Sequence, residues 1–267
     1  MKGKKHFLIL PLTAALMLTA CTGKKSDLPP EVPSDVQTAS AGISGWGFRK
    51  MPGARPEFTA GQIKDMEKYG CIYMGKEDEG IYLTFDEGYE NGYTAGILDT
   101  LREKNVQAAF FITGDYLRDH EELVRRMVEE GHIVGNHTEN HPSLPTVASD
   151  EKLFAETEDL SKTFKEKFGQ EMRYLRPPKG EYNDRTLSFT KALGYTNVFW
   201  SFAYEDWAQD KSYGKAHAYE KVMDGLHGGA VLLLHAVSKD NAEALGDMID
   251  GARGRGYVFR SLDAYVK

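Results

Sequence analysis

Two histidines, His137 and His141, lie four residues apart in the sequence "HTENH". At this spacing both imidazoles can bind one metal ion if the segment turns like a helix, but Pro142 disfavours helical geometry at His141, so a loop turn is an equal alternative. The motif alone is a weak signal that also fits a solvent-facing loop with two surface histidines. Its position after a predicted strand favours a metal site, since two imidazoles, a carboxylate and open water positions are typical of hydrolytic zinc enzymes.

Two adjacent acids, Asp86 and Glu87, end the apolar run "IYLTF" at residues 81–85. Glycosidases use two carboxylates across one bond, which is one chemistry that such a pair could serve. Neighbouring residues of a strand point to opposite faces, however, so these two acids are not expected to flank a single bond. The pair therefore favours a role beside the histidines over glycosidase chemistry.

Three further residues could take part in catalysis. Arg176 precedes two prolines in "RPPKG", where it could equally be a structural residue at a barrel rim. His235 ends the apolar run "LLLH" and needs a partner, because an unpaired buried polar group is costly. It is either a satisfied core histidine or a catalytic one. Asp206, in "AYEDW", is the carboxylate that could orient it, and a carboxylate-paired histidine is suited to general acid catalysis.

Short apolar runs that alternate with helical segments predict the fold. The predicted strands are 81–85, 107–113, 132–136, 173–177, 196–201, 230–235 and 257–261. The clearest helix lies between Ser149 as N-cap and Gly169 as its end, and a second follows Asn183 and ends at Gly194. Strands alternating with helices predict an α/β fold with a parallel sheet, and seven such strands predict an α/β barrel or a nearly closed relative of one.

The predicted strands bring the candidate residues together. Asp86 follows the first strand and His137 the third, Arg176 ends the fourth, Asp206 lies just past the fifth, and His235 ends the sixth. The carboxyl ends of parallel strands face the active site in α/β folds. We therefore expect one catalytic site at this edge.

The first residues predict export. Lys2, Lys4 and Lys5 form a basic start, residues 7–20 form an apolar run, and small residues precede Cys21, as in the lipobox of bacterial lipoproteins. We expect a lipoprotein signal peptide over 1–20, lipidation of Cys21, a flexible tether over 21–45 and an N-terminal extension over 46–76 packed on a barrel domain over 77–267. An ordinary signal peptide with an incidental cysteine is the alternative.

Composition excludes some functions. The formal net charge is −7, and residues 1–20 carry three lysines and no acid, so removing them makes the chain more acidic. An acidic domain is poorly suited to nucleic acid, and membrane attachment would depend on the lipid rather than on charge. The only cysteines are Cys21 and Cys71, so lipidation of Cys21 leaves no disulfide.

Five motifs together resemble a known family. The segments "TFDEG", "HTENHP", "RPPKG", "EDW" and "LLLH" occur in the order found in the NodB-type polysaccharide deacetylases, carbohydrate esterase family 4. The resemblance runs from about residue 78 to the C-terminus. It implies a distorted barrel of β/α units and hydrolysis of an N-acetyl group on a sugar, with release of acetate and a free amine.

The resemblance also implies roles for residues. Asp86 would be the base that activates water, oriented by Arg176, and His137 and His141 would be metal ligands. His235 would protonate the departing amine, with Asp206 tuning it. Substrate contacts would come from Trp207 and Leu233 around the acetyl methyl and from a backbone N–H near Lys179 at the oxyanion. The metal would be zinc, although cobalt, nickel and manganese suit the same ligands.

Glu87 departs from the family pattern, which has a second aspartate there as the third metal ligand. Glu87 either reaches the metal with its longer side chain or leaves the two histidines as the only protein ligands. The segments "GWGF", "TFDEGYENGYT" and "LLLHAVSKDNAEAL" resemble the subgroup that makes muramic δ-lactam in spore peptidoglycan, in which the second aspartate is often absent.

The implied substrate is N-acetylmuramic acid in glycan strands that have lost their stem peptides. Two alternatives remain: a deacetylase of N-acetylglucosamine in peptidoglycan or chitin-like oligomers, and a catalytically weak glycan-binding relative. We expect a monomer on the outer face of the cytoplasmic membrane of a Gram-positive bacterium, with peptidoglycan as its partner.

Overall fold

Parallel strands form the centre of the fold. In a computed structural model of the chain, which describes residues 42–51, 53–208 and 211–265, seven parallel strands form one sheet. Its strands are β2 (Gly80–Glu87), β3 (Ala109–Ile112), β4 (Ile133–Asn136), β5 (Tyr174–Leu175), β7 (Thr196–Asn197), β8 (Val231–His235) and β9 (Val258–Phe259). They run in the order β7-β5-β4-β3-β2-β8, with β9 also paired to β2. The seven strands predicted from sequence are all present, although β5, β7 and β9 are shorter than expected.

Helices cover the sheet between successive strands. They are α1 (Ala60–Tyr69), α2 (Thr94–Lys104), α3 (Gly114–Asp119), α4 (Glu121–Glu129), α5 (Asp150–Phe168), α6 (Asp184–Ala192), α7 (Lys215–Gly225) and α8 (Lys239–Gly254). The helix predicted between Ser149 and Gly169 is α5. The Ser149 side chain accepts a hydrogen bond from the Lys152 N–H, and Gly169 ends the helix at φ 68°.

The sheet curves until its two ends nearly meet. No ladder joins β7 to β8, but single bridges connect Ile72 to Val198, Met74 to Ala230 and Phe202 to Leu232. The segments before β2 and after β7 therefore complete the wall that the named strands leave open. This arrangement confirms the predicted distorted (β/α)7 barrel.

The two faces of β2 have different surroundings. Ile81, Leu83 and Phe85 belong to the largest core cluster, which also contains apolar residues of α2, α5 and α8. Tyr82 belongs to a separate cluster on the other face, and Thr84 and Asp86 share that face by alternation. Every residue of β2 is buried, as expected for a central strand of a parallel sheet.

The strand register places the candidate functional residues at one edge of the sheet. Asp86 on β2 is the partner of His235 on β8 and of Phe111 on β3. Asn136 ends β4 beside Leu175 of β5, so His137 and Arg176 follow at the same level. The strand ends that the sequence predicts to meet therefore do meet.

The N-terminal segment packs on the barrel through aromatic rings. Trp46 is buried, stacks on Phe58 with ring centroids 4.9 Å apart, and donates its Nε1–H to the carbonyl of Trp200 across 2.8 Å. Phe48 lies further out, 6.2 Å from Phe58.

The start of the described chain differs slightly from the predicted boundary. Two residues of the predicted tether form β1 (Ser44–Gly45), which pairs antiparallel with β6 (Glu181–Tyr182). The pairing with β6 therefore includes two residues that precede the predicted boundary at residue 46. The predicted signal peptide and lipidated Cys21 lie outside the described residues. Among the helices that are described, none combines the length and apolar character needed to cross a membrane.

Candidate active site

A cavity of about 340 Å³ lies at the carboxyl ends of the central strands. It brings together four of the residues predicted from sequence around one space, with the exposed ring of Trp207 at its edge. The lining residues are Asp86, Gly88, Tyr89, Thr113, Asp115, His137, Glu139, Asn140, His141, Trp207 and His235. Arg176 and Asp206 do not line the cavity but contact side chains that do.

Arg176 is fully buried and binds Asp86. Its Nη1 donates to Asp86 Oδ1 across 2.6 Å, its Nη2 to Thr84 Oγ1 across 2.8 Å, and its Nε to the carbonyl of Val198 across 3.1 Å. The Phe111 ring lies 4.2 Å from the guanidinium carbon. Phe111 can occupy that place because Gly135 faces it, where a Cβ would come within 2.6 Å of the ring.

The charge on Asp86 depends on its neighbours. Burial raises the pKa of its carboxyl, but the opposing effects of Arg176, His137 and His235 are together larger, so the pKa lies below its ordinary value. Asp86 is therefore anionic at neutral pH. Because Oδ1 is held by Arg176, Oδ2 is the atom that faces His137, 3.4 Å from its Nε2.

His137 and His141 are neutral imidazoles. His137 Nδ1 lies 2.8 Å from the carbonyl oxygen of Arg176, and a carbonyl only accepts, so Nδ1 carries the hydrogen and Nε2 presents a lone pair. Burial lowers the pKa of His137 to about 4 and also lowers the pKa of His141. The two rings are 4.7 Å apart between centroids.

A loop turn, not a helix, brings these histidines together. Thr138 and His141 have φ values of 71° and 57°, and Thr138 Oγ1 accepts a hydrogen bond from the His141 N–H across 3.0 Å. Of the two geometries that the sequence allows, the structure has the loop, as the proline after His141 favours.

The structure does not bring Glu87 to the histidines. Its side chain alternates to the opposite face of β2 from Asp86, is fully buried, and does not line the cavity. In the described part of the chain neither carboxylate oxygen has a hydrogen-bond partner, and the nearby Thr94 hydroxyl donates to Glu90 instead. Burial, with the charges of Glu90 and Asp86, raises the pKa of Glu87 well above its ordinary value, so this carboxyl is neutral.

Glu87, the metal ligand suggested by the family pattern, is therefore not a third donor in this geometry. Across the residues with described positions, no three His, Cys, Asp or Glu side chains are grouped to hold a metal ion. The physical reason is the alternation of side chains along β2.

His235 is paired with Asp206, which favours the protonated imidazole. Its Nδ1 lies 2.7 Å from Asp206 Oδ1, and its backbone N–H donates to Asp206 Oδ2 across 2.9 Å. Burial lowers the pKa of His235, but the Asp206 carboxylate outweighs it, with a smaller contribution from Asp86, so the pKa lies above 6.5. Since Nδ1 is engaged, Nε2 is the nitrogen free to donate a proton in the cavity.

The cavity thus combines an anionic carboxylate, two neutral imidazoles and a third imidazole, His235, whose protonated form is favoured by Asp206. A carboxylate base and a histidine acid in one cavity suit hydrolysis of an amide, in which water must lose a proton and the departing amine must gain one. Two imidazoles with free lone pairs suit a divalent metal ion.

Comparison with known proteins identifies the family. The model of the polysaccharide deacetylase family matches residues 74–198. The peptidoglycan-N-acetylmuramic acid deacetylase PdaA of Bacillus subtilis (strain 168) is 43% identical over 223 residues, 82% of this chain and 84% of PdaA. The chain belongs to the polysaccharide deacetylases, carbohydrate esterase family 4. The resemblance inferred from the five motifs is confirmed, and with it the assignment as an enzyme.

Solved structures of the family share the fold of this deacetylase. That of Bacillus subtilis PdaA, a family 4 carbohydrate esterase, gives a TM-score of 0.81 at 41% identity and covers 84% of this chain and 96% of the other. A family 4 carbohydrate esterase from Bacillus anthracis gives 0.71 at 43% identity, with the same coverage.

The predicted substrate-binding residues of the deacetylase occupy different places. Trp207 is 51% exposed and its ring lies 5.4 Å from that of His235, at the edge of the cavity. Leu233 is buried in β8 and does not line the cavity. Lys179 is exposed at φ 61°, a left-handed conformation, and its charge contributes to lowering the pKa of His141.

Several residues of this site were not predicted from the sequence. Tyr89 lines the cavity beside Trp207 and donates its hydroxyl hydrogen to the Trp207 carbonyl across 3.1 Å. Asp115 and Glu139 also line it, and both pair with Arg118. Their positions carried a signal, because Tyr89 follows β2 and Glu139 lies between the two histidines.

Replacing Asp206 with asparagine should shift the pH range of activity. Without the carboxylate the pKa of His235 falls, because burial is no longer opposed. A general acid is active only in its protonated form, and this form is lost as the pH rises through the pKa. Because the variant has a lower pKa at His235, the alkaline limb of its rate profile should move to lower pH. Rates on a deacetylase substrate between pH 5 and 9 would measure the shift, with Asp240→Asn as the matched control. An unmoved alkaline limb would show that Asp206 does not set the protonation of His235.

Proposed function

We propose that this deacetylase removes the N-acetyl group from N-acetylmuramic acid in peptidoglycan glycan strands whose stem peptides have been removed, in a metal-dependent reaction. The arrangement of Asp86 and His235 around the His137–His141 pair in one cavity is the observation that carries this proposal. The identity to PdaA, whose name gives this substrate, supports it.

The residues would act in sequence on the acetamido group. Asp86 Oδ2 takes a proton from water as the water oxygen bonds to the acetyl carbon, while Arg176 holds Oδ1 and fixes the carboxylate. His235 Nε2 then gives its proton to the nitrogen as the C–N bond breaks, which releases acetate and a free amine. Electrostatic pairing keeps these two groups in opposite protonation states at one pH.

The donor set fits a divalent cation held by two protein ligands. His137 Nε2 and the His141 ring are neutral and lie on one side of the cavity beside the Asp86 carboxylate. When bound there, the cation would polarise the acetyl carbonyl and favour ionisation of water. Imidazole ligands suit zinc first, and cobalt, nickel or manganese as well.

Acetate release from defined glycans tests the metal and the substrate together. Protein treated with a chelator should lose activity and regain it with added zinc, and His137→Gln should stay inactive at the same zinc concentration because one donor is gone. Wild-type protein should release acetate from the muramic acid of peptide-free strands and not from strands with stem peptides.

Each other result has a definite meaning. Release from N-acetylglucosamine in intact strands or chitin oligomers would keep the chemistry and contradict the substrate. No release with any metal would favour a glycan-binding relative. Full activity in excess chelator would contradict metal dependence.

A positive charge near the site favours muramic acid over glucosamine. The lactyl carboxylate of muramic acid is attached next to the acetamido carbon, so it would enter a cavity that already holds Asp86 and is bordered by Asp115 and Glu139. Arg118 is paired with the last two acids. Lys179 has no such ion pair among the described residues, and its positive charge contributes to lowering the pKa of His141. We assign Lys179 to the lactyl carboxylate.

Replacing Lys179 should therefore change substrate preference. Lys179→Met should lower kcat/KM on peptide-free muramic acid strands by about ten-fold, which corresponds to about 1.4 kcal/mol, and leave hydrolysis of glucosamine oligomers unchanged. Lys179→Glu should have a larger effect in the same direction. Lys162→Met removes an exposed lysine of α5 as a control. Equal losses of kcat/KM on both glycans would show that the ammonium group of Lys179 does not bind the lactyl carboxylate.

We propose further that the protein acts in the spore cortex from the outer face of the cytoplasmic membrane, where lipidated Cys21 would anchor it. The motifs of the δ-lactam subgroup and residues 1–21 motivate this proposal. A Cys21→Ala variant should leave the membrane fraction and appear in the soluble one. Retention of that variant on membranes would contradict lipid anchoring.

A further inference from the structure

A chain of hydrogen-bonded side chains supports His235 from outside the cavity lining. Tyr204 donates its hydroxyl hydrogen to Asn241 Oδ1, and Asn241 Nδ2 donates to Asp206 Oδ2 across 2.5 Å. Asp206 Oδ1 in turn accepts from His235 Nδ1 across 2.7 Å. Asn241 is 1% exposed and Asp206 is 8% exposed, so water hardly competes for these bonds.

The orientation of the Asn241 amide is determined by its partners. The Asp206 carboxylate can only accept, so the amide nitrogen must face it. The second N–H of that nitrogen points to the carbonyl of His235, 3.4 Å away, which leaves Oδ1 to accept from Tyr204. Each polar group of the amide therefore has a partner, and a flipped amide would set oxygen against carboxylate.

Asn241 connects a helix to a carboxylate on a loop. It lies in the first turn of α8, where its N–H donates to Ser238 Oγ across 3.3 Å, whereas Asp206 lies in the loop after Phe202. The preceding residue, Asp240, accepts from the backbone N–H groups of Tyr213 and Gly214. The first turn of α8 thus binds both Asp206, the partner of His235, and residues 213–214, which lead into α7.

Without Asn241, the Asp206 carboxylate would lose one of its donors. Among the described residues, Oδ2 would retain the backbone N–H of His235 as its donor, and Oδ1 would retain the imidazole that it must orient. A buried carboxylate with fewer donors is free to rotate toward other partners. The imidazole would then lose the fixed direction in which it presents Nε2 to the cavity.

We propose that Asn241, supported by Tyr204, is the positioning residue that fixes Asp206 and, through it, the orientation of His235 as proton donor. Neither residue lines the cavity, so both act through Asp206 rather than on substrate. The catalytic part of this inference rests on the proposed function, which makes His235 the acid.

Kinetics of Asn241→Leu, a change that keeps the volume and removes both polar groups, test the proposal. On peptide-free strands kcat should fall by about ten- to a hundred-fold, with KM changed less than about two-fold. A misdirected acid reduces stabilisation of the transition state and leaves substrate binding unchanged. Tyr204→Phe should give a smaller loss of the same kind. In an Asp206→Asn background, Asn241→Leu should add less than about a two-fold loss.

The matched control is Asn197→Leu. Asn197 is also 1% exposed and has its amide bonded to a side chain, that of Thr190, so its replacement removes a comparable buried amide. It should lower the midpoint of thermal unfolding as Asn241→Leu does, and leave kcat unchanged. Equal kcat losses in the two variants, or a full additional loss in the Asp206→Asn background, would mean that Asn241 only stabilises the fold.

A measurement without turnover separates this inference from the proposed function. In 15N-labelled protein, the Nδ1–H proton of His235 should resonate far downfield in the wild type and in Asn197→Leu, and move upfield in Asn241→Leu. Tyr204→Phe serves for both readouts if Asn241→Leu does not fold. An unchanged resonance in a folded variant would overturn the positioning role. If the wild type released no acetate from any glycan, the proposed function would fail while the resonance still decided this one.

Discussion

The buried pair of Arg176 and Asp86 is the interaction on which the site depends. A charged guanidinium without any exposed surface is stable only if its donors are used, and here they bind Asp86, Thr84 and the carbonyl of Val198. The carbonyl of Arg176 also fixes the tautomer of His137. Arg176, which directly follows the two-residue strand β5, thus fixes the charge and orientation of Asp86, orients an imidazole and ties three strands of the barrel together.

Burial disfavours the charged form of every ionisable group at this edge of the sheet, and the charges beside each group decide the direction of its pKa shift. It leaves His137 neutral, because Asp86 opposes the effect only in part. It is outweighed at His235 by Asp206 and at Asp86 by Arg176. Glu87, beside Asp86 in sequence, has neighbouring acids instead of a cation and becomes neutral. The partners therefore favour an anionic Asp86 and a protonated His235 in one cavity, although burial disfavours both charges.

Much of the fold could be predicted from sequence because its signals are local. Strand runs, caps such as Ser149 and the order of the motifs each depend on a few neighbouring residues. The parallel sheet then places Asp86, His137, Arg176 and His235 at one edge without further information. Alternation also separated Asp86 from Glu87, although the family pattern kept Glu87 as a candidate ligand. Asn241 and Tyr204 could not be found in this way, since their roles depend on a contact between the first turn of a helix and a loop about 35 residues away.

The position of Glu87 bears on any metal ion that the two histidines would bind. A carboxylate beside the histidines would supply a third protein ligand, whereas here the protein offers two imidazoles from one loop. Their approach depends on left-handed backbone at Thr138 and His141 and on the bond between them, so the donor geometry is set locally by that turn. Asp86, on the other face of β2 from Glu87, keeps Oδ2 toward His137 while Arg176 binds Oδ1. The departure from the family pattern thus leaves the Asp86–Arg176 and His235–Asp206 pairs in place.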